Sequence, residues 1–260
     1  MSVKQWAIQA AEVGLDAIDL SILFFKDKDP SYFFKIGSEI RTLGIELAIL
    51  NTYPDLTHPN ASERRKQLSQ LEKDIAIAKT LGAKMVRVTA GQAHPETSRK
   101  YGIRWAIDGL MQSLDIANDY GIKLVYENHS KPGCWDYPDF SHPSDIFLEI
   151  VKGITGTNIG VLFDTANPIA YGDDPLPLLE EVIDIVTCIH AADTKRLGAL
   201  EPVPLGTGLV PFLDIFNTLK LSGFNGLISI EEASGLGKHG VVNAVEYIRK
   251  VWENAKEDNE

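Results

Sequence analysis

Four short apolar runs in the second half of the chain each end in a side chain that can bind a metal ion. The runs are Lys-Leu-Val-Tyr-Glu127, Gly-Val-Leu-Phe-Asp164, Val-Thr-Cys-Ile-His190 and Leu-Ile-Ser-Ile-Glu231. In a parallel α/β barrel the carboxyl ends of the strands converge on one face, where active sites form. Three carboxylates and one imidazole brought together there would hold one divalent metal ion. The pattern therefore predicts a metal centre made by Glu127, Asp164, His190 and Glu231.

The alternation of side chains along these runs supports the same interpretation. Successive side chains of a strand point to opposite faces of the sheet. In the last run Ile228 and Ile230 share one face, whereas Glu231 lies on the other. In the remaining three runs, too, a large apolar residue takes the face opposite the candidate ligand. We therefore expect the apolar faces to pack against helices and the ligands to point the other way.

Length and composition limit the classes of protein to be considered. A chain of 260 residues suits one α/β barrel of about 250 residues, so we predict a single domain over residues 1–260. The net charge of −11 argues against nucleic acid as a partner, because phosphate binding calls for a basic surface. The sequence shows neither a signal peptide nor a membrane span. With only two cysteines, a reducing, cytoplasmic location without a membrane partner is the simpler expectation.

Strand and helix patterns alternate along the whole chain, which predicts βα units and a parallel sheet. Strands are predicted at about 16–20, 45–50, 84–89, 122–127, 158–164, 186–190 and 226–231. Helices are predicted at about 3–13, 31–43, 61–81, 101–120, 143–153, 174–185, 211–222 and 239–255. Since the sequence opens on a helical pattern, a closed eight-stranded barrel would need one more strand before it. The predicted fold is an α/β TIM-type barrel that lacks its first strand, with seven strands and eight helices.

Glycine marks the ends of the helical patterns. It closes a helical stretch shortly before an apolar run at positions 14, 44, 82, 121 and 223. This placement is typical of the left-handed residue after a helix C-terminus, a conformation that costs glycine little. The glycines therefore support the predicted borders between helices and strands.

Residues 130–143 form a long, turn-rich segment directly after the Glu127 strand. Loops of this length often act as lids or binding loops. The aromatic residues Trp135, Tyr137 and Phe140 could close over a sugar ring. A surface loop held down by its own aromatic residues is the alternative.

The motifs around the four ligand candidates resemble those of the xylose-isomerase-like superfamily of sugar isomerases and epimerases. The similar segments are Tyr-Glu127-Asn-His, Phe-Asp164-Thr-Ala-Asn167-Pro, Ile-His190-Ala-Ala-Asp193-Thr-Lys195, Ile-Ser-Ile-Glu231-Glu and Pro-Leu-Gly206-Thr-Gly208. The resemblance covers nearly the whole chain from the opening helix onward. It implies that the four ligands hold one Mn²⁺ ion, with Mg²⁺ or Co²⁺ as alternatives. It also implies that Glu127 and Glu231 transfer a proton next to a carbonyl, through an enediolate.

The sequence departs from two further patterns of the superfamily. Apurinic-site endonucleases use three zinc ions held by many histidines, but this chain has Asn51, Arg87 and Thr89 at the relevant strand ends. Many ketose epimerases show Asp-x-x-His, where this chain has Asp164-Thr-Ala-Asn167. An amide can orient a hydroxyl but does not titrate near neutral pH. His129 shares the strand parity of Glu127 and could partly replace the absent histidine.

Six residues are candidates for substrate binding. They are Arg87, His129, Trp135, Asn167, Asp193 and Lys195. The planar guanidinium of Arg87 would suit a carboxylate or paired hydroxyls, although an internal salt bridge explains it equally well. Lys195 could bind a substrate oxygen or be an ordinary surface lysine. No phosphate-binding loop or dinucleotide motif lies between a strand and a helix, so no nucleotide cofactor is expected.

The sequence thus predicts a divalent-metal-dependent isomerase or epimerase that acts on a keto-sugar or related polyol. A metal-dependent lyase on the same scaffold is the alternative: an inosose- or dehydroshikimate-type dehydratase, or a decarboxylase of an oxo-sugar acid. A basic anchor for a substrate carboxylate, Arg87 or Lys195, would favour the lyase. A non-catalytic sugar-binding protein is the second alternative. A homo-oligomer is left open, because an absent strand exposes sheet edges that proteins usually cover.

Overall fold

A computed structural model describes residues 2–25 and 29–256 of the chain. These residues divide into two compact units. The first unit runs to Tyr126 and includes the later segments Cys134–Phe140 and Lys152–Ile159. The second unit contains Glu127–Gly133, Ser141–Val151 and the chain from Gly160 onward.

The first unit is built on parallel strands in the order β1-β2-β3-β4, each pairing with the next. The strands are β1 (Ala17–Ser21), β2 (Glu46–Asn51), β3 (Met85–Val88) and β4 (Lys123–Glu127). The helices are α1 (Val3–Glu12), α2 (Pro30–Thr42), α3 (Ala61–Leu81) and α4 (Arg99–Tyr120), and a 3₁₀ turn spans Ile22–Phe25. The last residue of β4, Glu127, belongs to the second unit. The order follows the sequence, as expected for successive βα units.

Local signals in the sequence explain where these helices begin and end. The side chain of Asn60 accepts a hydrogen bond from the N–H of Ser62 and caps the start of α3,. At the opposite end Gly82 has φ 88°, a left-handed conformation that strains any residue with a β-carbon. Leu71 and Ile75 lie on the buried face of α3 at helical spacing,. The caps and the apolar face together fix this helix against its sheet.

The second unit contains parallel strands in the order β5-β6-β9. They are β5 (Gly160–Asp164), β6 (Val186–Ala191) and β9 (Leu227–Ile230), and an antiparallel hairpin is formed by β7 (Thr194–Arg196) and β8 (Ala199–Pro202). The helices are α5 (Ser144–Ile154), α6 (Asn167–Tyr171), α7 (Pro175–Val182), α8 (Phe212–Leu221) and α9 (Lys238–Asn254), and a 3₁₀ turn, Ile183–Ile185, follows α7. Strand β5 is buried along its whole length, which its unbroken apolar run predicts.

All seven predicted parallel strands and all eight predicted helices are present, with borders shifted by three residues at most. The largest shift is at the end of α7, where the 3₁₀ turn Ile183–Ile185 takes the place of the predicted last helical turn. The expected count of eight helices is nevertheless wrong, since α6 is a ninth helix among the described residues. The hairpin β7/β8 was not predicted either. Helix α6 has five residues, too few to show a helical repeat, and the hairpin strands have three and four residues. No helix among the described residues combines the length and the apolar character needed to cross a membrane. The single domain over residues 1–260 stays a prediction.

Candidate metal centre

The second unit brings the predicted ligands to the ends of its strands. Glu127 ends β4, Asp164 ends β5 and His190 lies next to the end of β6. Potential ligand atoms of these three side chains all lie within 4.8 Å of one another. The side chains are almost completely buried, with exposures of 2%, 2% and 0%. Acidic side chains are rarely buried unless they are paired or bind a metal.

The fourth predicted ligand, Glu231, directly follows β9. Its Oε1 lies 3.1 Å from Nδ1 of His190, and Oε1 of Glu127 lies 2.9 Å from the same nitrogen. The side chain of Glu231 is 45% exposed, so it differs from the three buried groups. The two glutamates therefore meet at one imidazole nitrogen, with Glu231 on the exposed side, and Asp164 lies within 4.8 Å of potential ligand atoms of Glu127 and His190.

The distances suit a bound cation. Ligands at right angles around an ion, each about 2.1 Å from it, are separated by about 3.0 Å. The two carboxylate-to-imidazole distances of 2.9 and 3.1 Å match that spacing. Oxygen donors with one nitrogen are the ligand set of Mn²⁺, Mg²⁺ and similar ions. The residues present thus fit one divalent ion, whose identity the donor set leaves open.

The pKa of Asp164 also supports a bound cation at this cluster. The pKa of Asp164 is raised well above its usual range, first because the carboxyl is buried, and then because the negative charges of Glu231 and Glu127 lie close,. His190 acts in the opposite direction. A divalent cation would reverse the effect of the two neighbouring carboxylates, because it favours the ionised form of each ligand.

Backbone hydrogen bonds orient Asp164. Its Oδ1 accepts from the N–H groups of Ala166 and Asn167, at 2.8 and 2.7 Å. This ties one carboxylate oxygen to the first turn of α6, so that Oδ2 is the oxygen that would be available to a bound ion. The start of the short helix therefore holds the carboxylate in place,.

Asn128 is a site residue that sequence reasoning missed. Its amide nitrogen donates to the carbonyl of Asp164 at 2.9 Å, and its amide oxygen accepts from the N–H of Asp164 at 2.7 Å. The side chain thereby ties the backbone after Glu127 to the backbone of Asp164. Its position beside Glu127 in Tyr-Glu-Asn-His could have indicated this role. The side chain of an asparagine at a strand end can make the hydrogen bonds that a paired backbone would otherwise make.

Four of the six residues predicted to bind substrate lie in the second unit. Asp193 accepts backbone hydrogen bonds from Thr194, Gly206, Gly208 and Val210. Lys195 pairs with Glu201 at 3.0 Å and is 61% exposed. Asn167 is buried at the start of α6, and His129 is half-buried. Substrate contact by these four residues stays a prediction.

The remaining two candidates lie in the first unit. The guanidinium of Arg87 donates to the backbone carbonyl of Thr52 at 2.7 Å and lies 4.5 Å from the ring centre of Tyr53. Trp135 is buried, whereas Tyr137 is exposed. Gln92 accepts hydrogen bonds from the N–H groups of Asp136 and Tyr137, which pins this part of the long loop. Roles in substrate binding for Arg87 and Trp135 stay predictions.

Comparisons with known proteins agree with the fold. The chain is 29% identical over 200 residues to uncharacterized protein MJ1311 of Methanocaldococcus jannaschii, covering 72% of this chain and 64% of that protein. It is 26% identical over 237 residues to L-ribulose-5-phosphate 3-epimerase UlaE of Salmonella heidelberg, covering 85% and 79%. The chain therefore spans less than two thirds of the length of the first of these relatives.

A similar solved structure is that of the IOLI protein with a binding zinc atom. It superposes with a TM-score of 0.82 at 20% identity, covering 98% of this chain and 95% of that one. The family model described as xylose isomerase-like TIM barrel matches residues 8–251. The strand ends, the ligand cluster and this match together confirm the predicted fold class, and the chain belongs to the xylose isomerase-like TIM barrel family.

Proposed function

We propose that this protein is a divalent-metal-dependent isomerase or epimerase that transfers a proton next to the carbonyl of a small keto-sugar or related polyol. The observation that carries the proposal is the meeting of three carboxylates and one imidazole, two of the carboxylates on one nitrogen. A divalent cation held there would act as a Lewis acid toward a substrate carbonyl. The ion we expect first is Mn²⁺.

Glu127 and Glu231 are the residues that we assign to proton transfer. Glu127 ends β4 and Glu231 directly follows β9, so the two side chains reach the centre from different strands. Their Oε1 atoms contact the same imidazole nitrogen. One carboxylate can remove the proton at the carbon beside the carbonyl, and the second can return one. Asp164 and His190, both buried, serve as ligands that hold the centre.

The similarity to an epimerase supports an isomerase or epimerase over a lyase or a non-catalytic sugar-binding protein. The L-ribulose-5-phosphate 3-epimerase of Salmonella heidelberg aligns with 85% of this chain. Epimerisation next to a carbonyl requires removal and return of one proton, the step for which two glutamates are suited. We therefore propose a ketose or ketose phosphate as the substrate class.

The test measures metal content and solvent exchange together. The purified protein and the variants His190→Ala and His239→Ala are loaded with Mn²⁺, desalted and measured by elemental analysis. We expect about one ion per chain in the wild type and in His239→Ala, whose side chain is exposed on α9, and a loss in His190→Ala. The loaded wild type is then incubated in D₂O with ketoses, inososes and oxo-acids, and deuterium uptake is followed by NMR.

Each outcome has a defined meaning. Deuterium uptake with interconversion of two ketoses supports the proposal. Uptake accompanied by loss of water or carbon dioxide would replace it with the lyase. Absence of a bound ion under every loading condition would contradict the metal centre and leave a sugar-binding protein as the better interpretation.

A further inference from the structure

The first unit contains a polar cluster outside the metal centre, built on Asp55. The carboxylate is buried, at 4% exposure. It accepts from the backbone N–H of Gln92 at 3.0 Å and from its side-chain amide at 3.2 Å, and it pairs with Nε2 of His94 at 2.7 Å. Both carboxylate oxygens of Asp55 thus accept a hydrogen bond from Gln92,. The loops that carry these residues follow β2 and β3, at the strand ends where this fold carries its chemistry,.

These contacts favour one hydrogen position in each of two histidines. When Nε2 of His94 carries the hydrogen it can donate to Asp55, and in that tautomer of the neutral ring Nδ1 is an acceptor,. The backbone N–H of Asn60 donates to Nδ1 of His58 at 3.0 Å. That nitrogen is therefore the acceptor of its ring, and Nε2 of His58 carries the hydrogen. The two rings offer one acceptor and one donor.

The rings lie side by side and are partly accessible. Their centres are 4.6 Å apart, and the ring of Tyr137 lies 5.4 Å from that of His94. The side chain of His94 is 13% exposed, His58 is half-buried and Tyr137 is 38% exposed. With ring centres this close, an acceptor on one ring and a donor on the other, beside an aromatic ring, suit adjacent hydroxyl groups.

The arrangement is rigid. Arg64 donates to the carbonyl of His58 at 2.6 Å, and Gln92 ties the loop of Tyr137 to Asp55. Gly91 has φ 119°, and a β-carbon there would meet Thr57 Oγ1 at 2.5 Å and Asp55 Oδ1 at 2.6 Å. Groups held in this way are already oriented for a ligand, which lowers the entropic cost of binding.

A metal ion and a phosphate fit less well. A metal ion bound by both rings would require Nε2 of His58 to lose its hydrogen, which conflicts with the hydrogen bond that Asn60 donates to Nδ1. A phosphate would face the lone pair of His94 Nδ1 and lie close to the negative charge of Asp55. A neutral polyol meets neither obstacle.

We propose that His58 and His94 form a hydroxyl-binding site for a carbohydrate in the first unit. Asp55 is its positioning residue, because it fixes the ring of His94 and favours the hydrogen on Nε2. The choice of a carbohydrate rests on the proposed function, whereas the requirement for paired hydroxyls follows from the two rings alone.

The test follows the histidine rings directly. Full-length ¹⁵N-labelled protein, freed of metal with a chelator, is titrated with myo-inositol, with D-fructose and with inorganic phosphate, and the ring nitrogens are observed by long-range ¹H–¹⁵N NMR. We expect the Nδ1 signal of His94 and the Nε2 signal of His58 to shift and saturate with at least one of the two polyols. The variant His94→Phe keeps a ring but removes the acceptor, so its saturation should weaken at least tenfold. The control His239→Phe should leave the titration unchanged.

Every outcome decides the proposal. Absence of a saturating shift with either polyol overturns it, as does saturation by phosphate alone. Unchanged binding in a folded His94→Phe variant overturns it as well. If that variant does not fold, Asp55→Asn provides the second test, because it should change the hydrogen-bearing nitrogen of His94 and weaken binding. Since the protein is metal-free, failure of the metal centre or of proton transfer leaves these results unaffected.

Discussion

At the scale of single residues, Nδ1 of His190 is the atom on which two glutamates meet. Glu127 Oε1 is 2.9 Å away and Glu231 Oε1 is 3.1 Å away. A single N–H donates one well-directed hydrogen bond, so without a cation one of these carboxylates faces the nitrogen at a cost. A divalent ion would remove the conflict, since carboxylate oxygens and an imidazole nitrogen can all bind it.

The role of Glu127 can be separated from that of the centre as a whole. In Glu127→Gln the amide retains the size of the side chain but cannot accept a proton. At saturating Mn²⁺ we expect deuterium exchange of the substrate to fall by about 10² to 10⁴-fold, the usual contribution of a general base. The exposed Glu181→Gln on α7 is the matched control. Exchange at the wild-type rate in Glu127→Gln would assign the base to another residue.

Asp74 on α3 offers a prediction about stability and pH. Burial raises its pKa above the ordinary value of 3.8, against the opposing effect of the hydrogen bond from Gln70. A raised pKa in the folded state means that the group's favourable contribution is present at low pH and is lost as the pH rises through the folded pKa. At pH 7 the charge of Asp74 therefore destabilises the folded protein.

The variant Asp74→Asn should keep the oxygen that accepts from Gln70 and remove the charge. We expect the free energy of unfolding at pH 7 to rise by about 1 kcal/mol, a typical value for one buried polar group. The gain should shrink as the pH falls through the raised pKa of Asp74 and the carboxylate becomes protonated, and it should be lost below the ordinary value of 3.8,. Urea unfolding at several pH values measures this, with the exposed Asp115→Asn on α4 as the control. A gain independent of pH would mean that the charge is not its cause.

At the scale of elements, Asp193 organises the connection between β6 and α8. Its Oδ2 accepts from the N–H groups of Gly206 and Gly208, each at 2.9 Å. Its Oδ1 accepts from Thr194 and Val210, at 2.9 and 3.2 Å. Three of these four donors lie in the segment after β8, so the carboxylate satisfies backbone groups that this segment does not pair in a sheet,.

This arrangement predicts the effect of Asp193→Asn. The new amide group would place N–H donors against N–H donors, so two hydrogen bonds are lost and two backbone groups face a like dipole. We expect a loss of about 2–4 kcal/mol in the free energy of unfolding.

Gly208→Ala should destabilise the folded protein as well, because its β-carbon would lie 2.3 Å from Asp193 Oδ1. Denaturant unfolding with the exposed Asp214→Asn as control tests both; unchanged stability in Asp193→Asn would show that the segment holds without the carboxylate.

The elements also show what could be read from the sequence. The seven parallel strands and the ends of α3 and α4 were predictable, because apolar runs, helical spacing and glycine at 82 and 121 are local signals,. The same signals placed Glu127, Asp164 and His190 at strand ends. Asn128 and the contacts of Asp193 were missed, since each joins residues that only the folded backbone brings together. Helix α6 was missed because five residues are too few to show periodicity.

At the scale of the whole molecule, the net charge links the stability of the folded protein to the binding of a cation. The chain carries a net charge of −11, which opposes compaction through self-repulsion. The buried cluster adds to this cost, as the raised pKa of Asp164 indicates. Binding of a divalent ion to the folded state alone should therefore stabilise the protein.

Stabilisation by the ion can be measured without knowing the substrate. At a free Mn²⁺ concentration about 100 times the Kd, the gain should be about 2.7 kcal/mol, which for a chain of this size corresponds to a rise in Tm of about 5–10 °C. His190→Ala should show little of this rise, because it loses the nitrogen that both glutamates contact. Calorimetry at constant ionic strength, with NaCl in place of MnCl₂, separates site binding from screening of the net charge. Equal rises in Tm with the two salts, or in the wild type and His190→Ala, would show that the cation acts on the surface charge and not at this centre.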